Sequence, residues 1–356
     1  MDPPQAPTTC RLPGGERLTV SVLEPPLGPW AERIEYWWRE VRSAVLGGEL
    51  AETSLDRFFV GEIDRAYVGS MCYARHRERP EVAVLEMVWT HPAHRRKGVA
   101  RALLRRTLAD FRALGGVAMY LCTVNPDAFA LYASEGFRTL VGDGMRYLAP
   151  GGEDFDRTYF ADAGPARVRP AVWGDLAGVA ALYNQPAPDW LVKDYPRRVF
   201  RDVRYEGHFR RVWKPAADGR GTALVLESPA GRVVGIASAV EVDSYVEQHA
   251  QVIDFWACPS YLDQVPELLA PLVRATADGG AELLEARVAS VDTAKRELLE
   301  GAGFREEARL RQRLRLGDER VDLLVYSLVF GQRRPPRHPP GGYYGGRPGW
   351  SPGQSG

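Results

Sequence analysis

Arg95, Arg96 and Lys97 stand directly before Gly98, Val99 and Ala100, so three cations lead into two small residues around a valine. Gly98 lets the backbone come close to a bound group, and Ala100 adds little bulk beside it. If a helix starts at Gly98, its first N–H groups have no partner inside the helix and can donate to phosphate oxygens. The three cations place positive charge around those donors, although the same run also suits a solvated surface. The chemistry this spacing offers is the binding of a phosphorylated anion.

Proton-transfer groups lie on either side. Glu86 interrupts the apolar run from Val82 to Thr90, and a polar residue inside a strand needs a partner or a task. It is the candidate general base, acting directly or through water; the alternative is a pair with an arginine of a neighbouring element. His91, just after the strand, is a second candidate because imidazole exchanges protons near neutrality, or else it lines the loop. Cys122 sits in an apolar run and reads as core. Cys10, Cys72, Cys122 and Cys258 are widely spaced, without metal-ligand or disulfide-dense spacing, so no metal is expected and a reducing compartment is the simpler setting.

The elements that position these groups follow from periodicity. Val82 to Thr90 has the length and β-branching of a strand, and from Gly98 the residues Val99, Leu103, Leu104, Leu108 and Phe111 recur at helical spacing. The helix ends near Gly115-Gly116, Val117 to Cys122 is a buried strand, Pro126 to Ser134 a second helix, and Phe137 to Leu148 the last strands. Before the site, Leu18 to Leu23, Arg57 to Val60 and Ala66 to Ala74 read as strands. A helix is expected from Trp30 through the following IEYWWREVRSAVL, with a short one over Leu50 to Leu55. Trp37 and Trp38 cannot point the same way, so one is expected in the core.

With strand, basic loop and helix in place, the chain resembles the GNAT superfamily of N-acetyltransferases. Its signature is Arg or Gln, two residues, Gly, one residue, then Gly or Ala, here Arg95 to Ala100, with Asn125 and the Leu131-Tyr132 to Gly136-Phe137 segment downstream. The resemblance implies that the loop holds the pyrophosphate of acetyl-CoA as cosubstrate. It implies that main-chain groups of Val88, Trp89 and Thr90 orient the thioester, in a slot where this strand splays from its parallel neighbour. It matches Tyr132 to the tyrosine that protonates the departing sulfur; the alternative is a packed aromatic. Asn125 contacts pantetheine or caps the helix that follows. The reaction implied is direct attack by the primary amine of a small molecule, as in specialised metabolism or antibiotic modification. The competing readings are acyl-CoA decarboxylation, O-acyl transfer, and noncatalytic acyl-CoA binding.

At 356 residues the chain is long for one domain, and 45% hydrophobic content allows two substantial cores. Its 46 basic and 46 acidic residues cancel, which gives no general case for nucleic acid and leaves only a local patch open. No stretch has signal-peptide or membrane-spanning character, so the expectation is a cytoplasmic protein with no membrane partner. Residues 1–16 are Pro-rich and expected to be flexible. Residues 17–150 form the catalytic domain, 151–165 a linker, and 166–331 a second domain. The Gly/Pro/Arg-rich 332–356 reads as a disordered tail.

A shift of 167 positions carries Trp89 to Trp256, Pro92 to Pro259, Gly136 to Gly303 and Phe137 to Phe304, which supports duplication. The fold class expected is α/β with tandem GNAT-like domains, each a mixed, mostly antiparallel sheet flanked by helices. The second copy reads as degenerate: Arg95, Gly98, Ala100, Asn125 and Tyr132 become Leu262, Val265, Glu267, Asp292 and Leu299. Covering the first domain, binding substrate and making a homodimer contact are the roles open to it.

Overall fold

The computed structural model describes residues 6–140, 142–162, 164–185, 191–200, 206–242, 244 and 246–330. The expected tail and residues 1–5 lie outside the described residues. The first half contains β1 (Thr8–Arg11), β2 (Arg17–Leu23), α1 (Trp30–Arg33), α2 (Arg42–Gly47), β3 (Ser54–Ile63), β4 (Ala66–His76), β5 (Val82–Thr90), α3 (Val99–Ala113), β6 (Ala118–Cys122), α4 (Pro126–Ser134), β7 (Arg138–Thr139) and β8 (Gly144–Leu148). A short α5 (Phe155–Tyr159) leads into β9 (Arg167–Pro170), α6 (Leu176–Tyr183), β10 (Lys193–Tyr195), β11 (Arg198–Phe200), α7 (Glu206–Ala217), β12 (Gly221–Glu227) and β13 (Val233–Glu241). The chain closes with β14 (Ala250–Ala257), α8 (Val265–Asp278), β15 (Leu283–Ala289), α9 (Thr293–Gly301), β16 (Arg305–Leu316) and β17 (Glu319–Val329).

Two mixed sheets result. The first runs β1-β2-β3-β4-β5-β6-β8-β7 and the second β9-β12-β13-β14-β15-β17-β16. Leaving out β1, the orders are the same. In each, antiparallel neighbours surround one parallel pair, β5/β6 and β14/β15, joined by a crossover helix, α3 or α8. Among the described residues no helix is long and apolar enough to cross a membrane.

Three local expectations are corrected. The long helix after Trp30 stops at Arg33, where Ile34 turns extended (φ −76, ψ 129). Ile34, Tyr36 and Trp38 are buried while Glu35, Trp37 and Arg39 are exposed, a period of two that belongs to extended chain. Trp38 is thus the core tryptophan of the pair. Leu50 to Leu55 is not a helix either: turns lead straight into β3 at Ser54. The N-terminus is ordered from Thr8, because β1 pairs with β2 from Thr8↔Val20 to Arg11↔Arg17 and buries Leu12 at the turn.

One apolar cluster fills the face of the first sheet under α3 and α4, with Leu103, Leu104, Leu108, Phe111 and Tyr132 among its members. The opposite face belongs to a cluster that continues through α6 into the second sheet. Six of the eight α6 residues are Leu, Val or Ala, and its faces are buried all round, as a helix between two layers requires. Gly174, just before it, lies where a Cβ would stand 2.2 Å from the Thr53 carbonyl oxygen, so the halves approach there at backbone distance. Arg79 reaches Glu227 at 2.7 Å, and Glu227 in turn accepts from Arg169 at 2.6 Å. The expected linker also packs, since Phe155 and Tyr159 of α5 are buried.

Candidate active site

The first sheet opens where the anion loop begins. β5 pairs with β6 only at Val82↔Ala118, Ala83↔Met119 and Val84↔Tyr120. From Leu85 to Thr90 it keeps β4 on one side while the β6 side has no strand partner. A cleft therefore lies at the carboxyl ends of two parallel strands, the place where α/β sheets bind ligands. Both α3 and α4 start there.

A bulge shapes the free edge. Ser70 faces Trp89 and Cys72 faces Glu86, so Met71 opposes both Met87 and Val88. Met87 absorbs the extra residue at φ 56, a left-handed conformation costing a bulky side chain on the order of 1–3 kcal/mol. Up to the bulge, Val82, Val84 and Glu86 share the face turned to the second half. Trp89 stacks on Tyr67, ring centroids 5.1 Å apart, which holds the end of the strand.

The α3 start has the donors an anion needs. Gly98 is its N-cap at φ 93 with no side-chain cap, and Ala102 is the residue whose N–H first returns to the cap, bonding the Gly98 oxygen at 3.0 Å. The N–H groups of Gly98, Val99, Ala100 and Arg101 precede any such intrahelical acceptor, and the first turn contains no acid. Glycine at 98 has a further reason beside the expected one. A Cβ at 98 would stand 2.9 Å from Pro13 Cδ of the β1–β2 turn, so the N-terminal hairpin fills the space beside Gly98. A side chain there strains the loop whether or not a ligand binds.

The basic side chains are partly engaged. Arg95 Nε donates to the Thr90 oxygen at 3.2 Å, Arg96 reaches Asp127 at 2.6 Å, and Lys97 lies 3.6 Å from Glu16. All three are surface contacts and cost little to exchange. Arg96–Asp127 links the α3 loop to the first turn of α4. Arg105–Glu135, at 2.8 Å, repeats that link further along.

Asn125 caps α4: its Oδ1 accepts from the N–H groups of Asp127 (2.9 Å) and Ala128 (3.2 Å), ahead of Pro126 at the first helical position. Only its amide NH2 is left for a ligand. His91 likewise caps the turn that follows β5, its Nδ1 accepting from the Ala93 N–H at 3.2 Å.

Glu86 and Tyr132 meet electrostatically. Tyr132 is 5% exposed, and its phenol pKa is pushed up first by burial, then by the negative charge of Glu86 and by Cys122. It therefore keeps its proton at neutral pH. Phe137, 5.6 Å away between centroids, fixes the ring. On the other side of Glu86, Tyr36 is raised by burial, Asp56, Cys72 and Glu86, in that order, and lowered by Arg210 of α7. Asp56 is itself pushed up to about 6 by burial, against a 2.6 Å bond from Ser54 and the charge of Arg77. The carboxylate of Glu86 thus acts across a gap in the sheet on groups of both faces. Tyr36 and Arg210 are absent from the sequence reading; Tyr36 is signalled only by the period-two apolar positions around it.

Residues 23–137 match the model of the acetyltransferase (GNAT) family. This segment is a GNAT acetyltransferase domain. No match was found among curated proteins. Solved structures similar to the chain include a GNAT superfamily phosphinothricin acetyltransferase from Sinorhizobium meliloti in complex with AcCoA, at 16% identity over 51% of this chain and 97% of the other, with a TM-score of 0.41. A ribosomal-protein-alanine N-acetyltransferase from Brucella melitensis is 22% identical over 46% of this chain and 99% of the other, with a TM-score of 0.38. A GCN5-related N-acetyltransferase from Kribbella flavida is 15% identical over 47% and 98%, with a TM-score of 0.40.

Beside the GNAT domain, the second sheet has the same opening but other contents. β14 pairs with β15 only from Ala250↔Leu283 to Ile253↔Ala286. Without a bulge, Ile236 faces Trp256 and Ser238 faces Asp254. Asp254 therefore occupies the sheet position of Glu86, and the shift between halves is 168 before the bulge and 167 after it. Asp254 is spoken for: it accepts from Lys295 Nζ and, at 3.0 Å, from the Asp194 N–H of β10. Asp194 is pushed up to about 7 by burial and by Asp254.

The loop corresponding to Arg95–Ala100 is closed as well. α8 grows out of a 3-10 turn, Pro259–Gln264, with no left-handed residue, and the Val265 N–H is already bonded to the Leu262 oxygen. Gln264 ties the turn to the connecting segment, accepting from the Ala166 N–H at 2.8 Å and donating to the Gly164 oxygen at 3.1 Å. Glu267 stands in the first turn, and Leu299, in place of Tyr132, is fully buried.

Proposed function

We propose that the GNAT domain is an acetyl-CoA-dependent N-acetyltransferase acting on the primary amine of a small molecule by direct attack. The observation that carries this reading is the meeting of three features at the carboxyl ends of β5 and β6. These are an uncapped helix start, a strand edge without a partner, and Glu86 within the electrostatic reach of Tyr132.

The N–H groups from Gly98 to Arg101, with Arg95, Arg96 and Lys97 around them, would hold the pyrophosphate. The free edge at Val88, Trp89 and Thr90 would take the pantetheine as an added strand, with the Asn125 amide beside it. Acetyl-CoA, when bound, supplies the activated acyl carbon. Glu86 takes the proton released as the amine nitrogen bonds that carbon, and Tyr132 gives its proton to sulfur as the carbon–sulfur bond breaks. Tyr36, Asp56 and Cys72 share the acceptor side with Glu86, and Arg210 reaches it from the second half. We assign the second half the role of covering that side, without a coenzyme site of its own. None of the four cysteines forms a disulfide among the described residues, which suits a cytoplasmic setting.

Calorimetric titration of the full chain with acetyl-CoA is expected to give one site, followed by mass-spectrometric detection of acetylated products from a panel of small amines. Two sites would overturn the assignment of the second half; no site, or binding without any acetylated amine, would overturn the enzyme reading. A parallel panel of alcohols separates O-acyl transfer.

Glu86→Gln tests the base. Loss of a general base lowers the rate by about 10²- to 10⁴-fold, and the acid limb of the kcat/KM profile that belongs to this carboxylate should disappear. A variant retaining both rate and profile would remove Glu86 from the mechanism.

A further inference from the structure

The β16–β17 hairpin at the edge of the second sheet carries charge that is not neutralised among the described residues. Arg309 is held by Glu306 and Asp322 at 3.2 and 3.4 Å. Arg305, Arg311, Arg313, Arg315 and Arg320 are exposed and, among the described residues, form no ion pair; the exposed acids Glu307, Asp318 and Glu319 do not reach them and are outnumbered. Arg315 faces Arg320 directly across the ladder. Like charges at such a position destabilise the pairing, so the hairpin carries a cost that an anionic partner would reverse.

The register sorts the side chains. Leu314 faces Val321 and Leu316 faces Glu319, so these point one way while Arg313, Arg315 and Arg320 point the other. Between Leu310↔Leu323 and Leu314↔Val321 the ladder bulges, with Gln312 at φ 51 and Arg311 beside it. A bulge in mid-strand spoils the edge for addition of a peptide strand, which leaves recognition through side chains. A lipid surface would want leucine and arginine directed to the same side, and here they are opposed.

We propose that the arginine face of this hairpin binds the phosphate backbone of a nucleic acid. Arg313 and Arg315, two residues apart on an extended strand, are spaced by about 6.8 Å, twice the roughly 3.4 Å axial rise per phosphate of one DNA strand. Planar guanidinium groups suit phosphate oxygens bidentately. Whole-chain neutrality argued against such a partner, but it averages over this patch. The proposal does not depend on the acetyl-transfer reading.

The test is fluorescence anisotropy of the full chain with a labelled single-stranded RNA and a labelled DNA duplex, across about 50–200 mM salt. The wild type is expected to bind with steep salt dependence. The Arg311→Gln, Arg313→Gln, Arg315→Gln and Arg320→Gln combination should weaken binding at least tenfold at low salt and lower the log–log salt slope by roughly 3. Unchanged circular dichroism would show that the variant is folded. No binding of either probe at low salt, or a variant with wild-type affinity and slope, would overturn the proposal. So would displacement of the nucleic acid by polyglutamate at equal charge, which would point to an acidic protein, or binding to phosphatidylserine vesicles alone.

Discussion

Tyr132→Phe is expected to lower kcat by at least about 10²-fold, the range for loss of a positioned general acid, while acetyl-CoA affinity stays near the wild-type value. The ring is locked by burial and by Phe137, so phenylalanine fits the same space. Among the described residues the hydroxyl makes no hydrogen bond whose loss would disturb the fold. Its pKa is raised by burial and by Glu86, so at neutral pH the wild-type group is a phenol with a proton to give. Rapid-quench or steady-state kinetics beside calorimetry separates the two roles. A fall in coenzyme affinity with kcat intact would make Tyr132 a packing residue, as would no change in either.

The second large effect concerns stability. Asp110 of α3 is 2% exposed, and accepts from Arg57 Nη2 at 2.9 Å and from the Tyr73 hydroxyl at 2.8 Å. Arg57 is also buried, and its other contact is Glu24 near the surface. Removing Asp110 leaves Arg57 only Glu24, which stands nearer the surface, and strips the buried Tyr73 hydroxyl of its acceptor, a loss comparable to that of a broken buried pair, about 3–5 kcal/mol. Asp110→Ala should therefore lose that much in urea unfolding followed by tryptophan fluorescence, while Asp110→Asn, which keeps an acceptor for Tyr73, should lose less. Equal stability of Asp110→Ala and wild type would mean that Arg57 finds other partners. Because this triad ties α3 to β3 and β4, its loss also loosens the helix whose first turn carries the proposed anion site.

Much of this was legible in the sequence because it depends on neighbours along the chain. The β-branched run Val82 to Thr90, the small-residue loop and the helical spacing after Gly98 are local patterns, and β5 and α3 have the bounds those patterns imply. Pro126 after Asn125 marked the start of α4 in the same way. The segment from Ile34 to Trp38 departs from its helical expectation because Ile34, Tyr36 and Trp38 stand at alternate positions, a period that the adjoining Trp37 hides in the sequence. Its burial period of two emerges only when Trp38 packs on Trp173 of the second half, 6.1 Å between ring centroids.

The candidate site divides along the same line. Which residues carry charge, hydroxyl or carboxylate at Glu86, Arg95 to Ala100 and Tyr132 was written in the sequence by itself, and so were the different residue types at the corresponding positions of the second half. Only the tertiary structure decided that β6 leaves β5 after Val84, that a bulge at Met87 moves the correspondence between the two sheets by one position, and that Asp254 rather than Ile253 stands at the sheet position of Glu86. It also decided that Pro13 fills the space beside Gly98. Each of these depends on hydrogen-bond register between strands distant in sequence, or on contact across a fold. Residue types and their spacing along one chain do not contain that information.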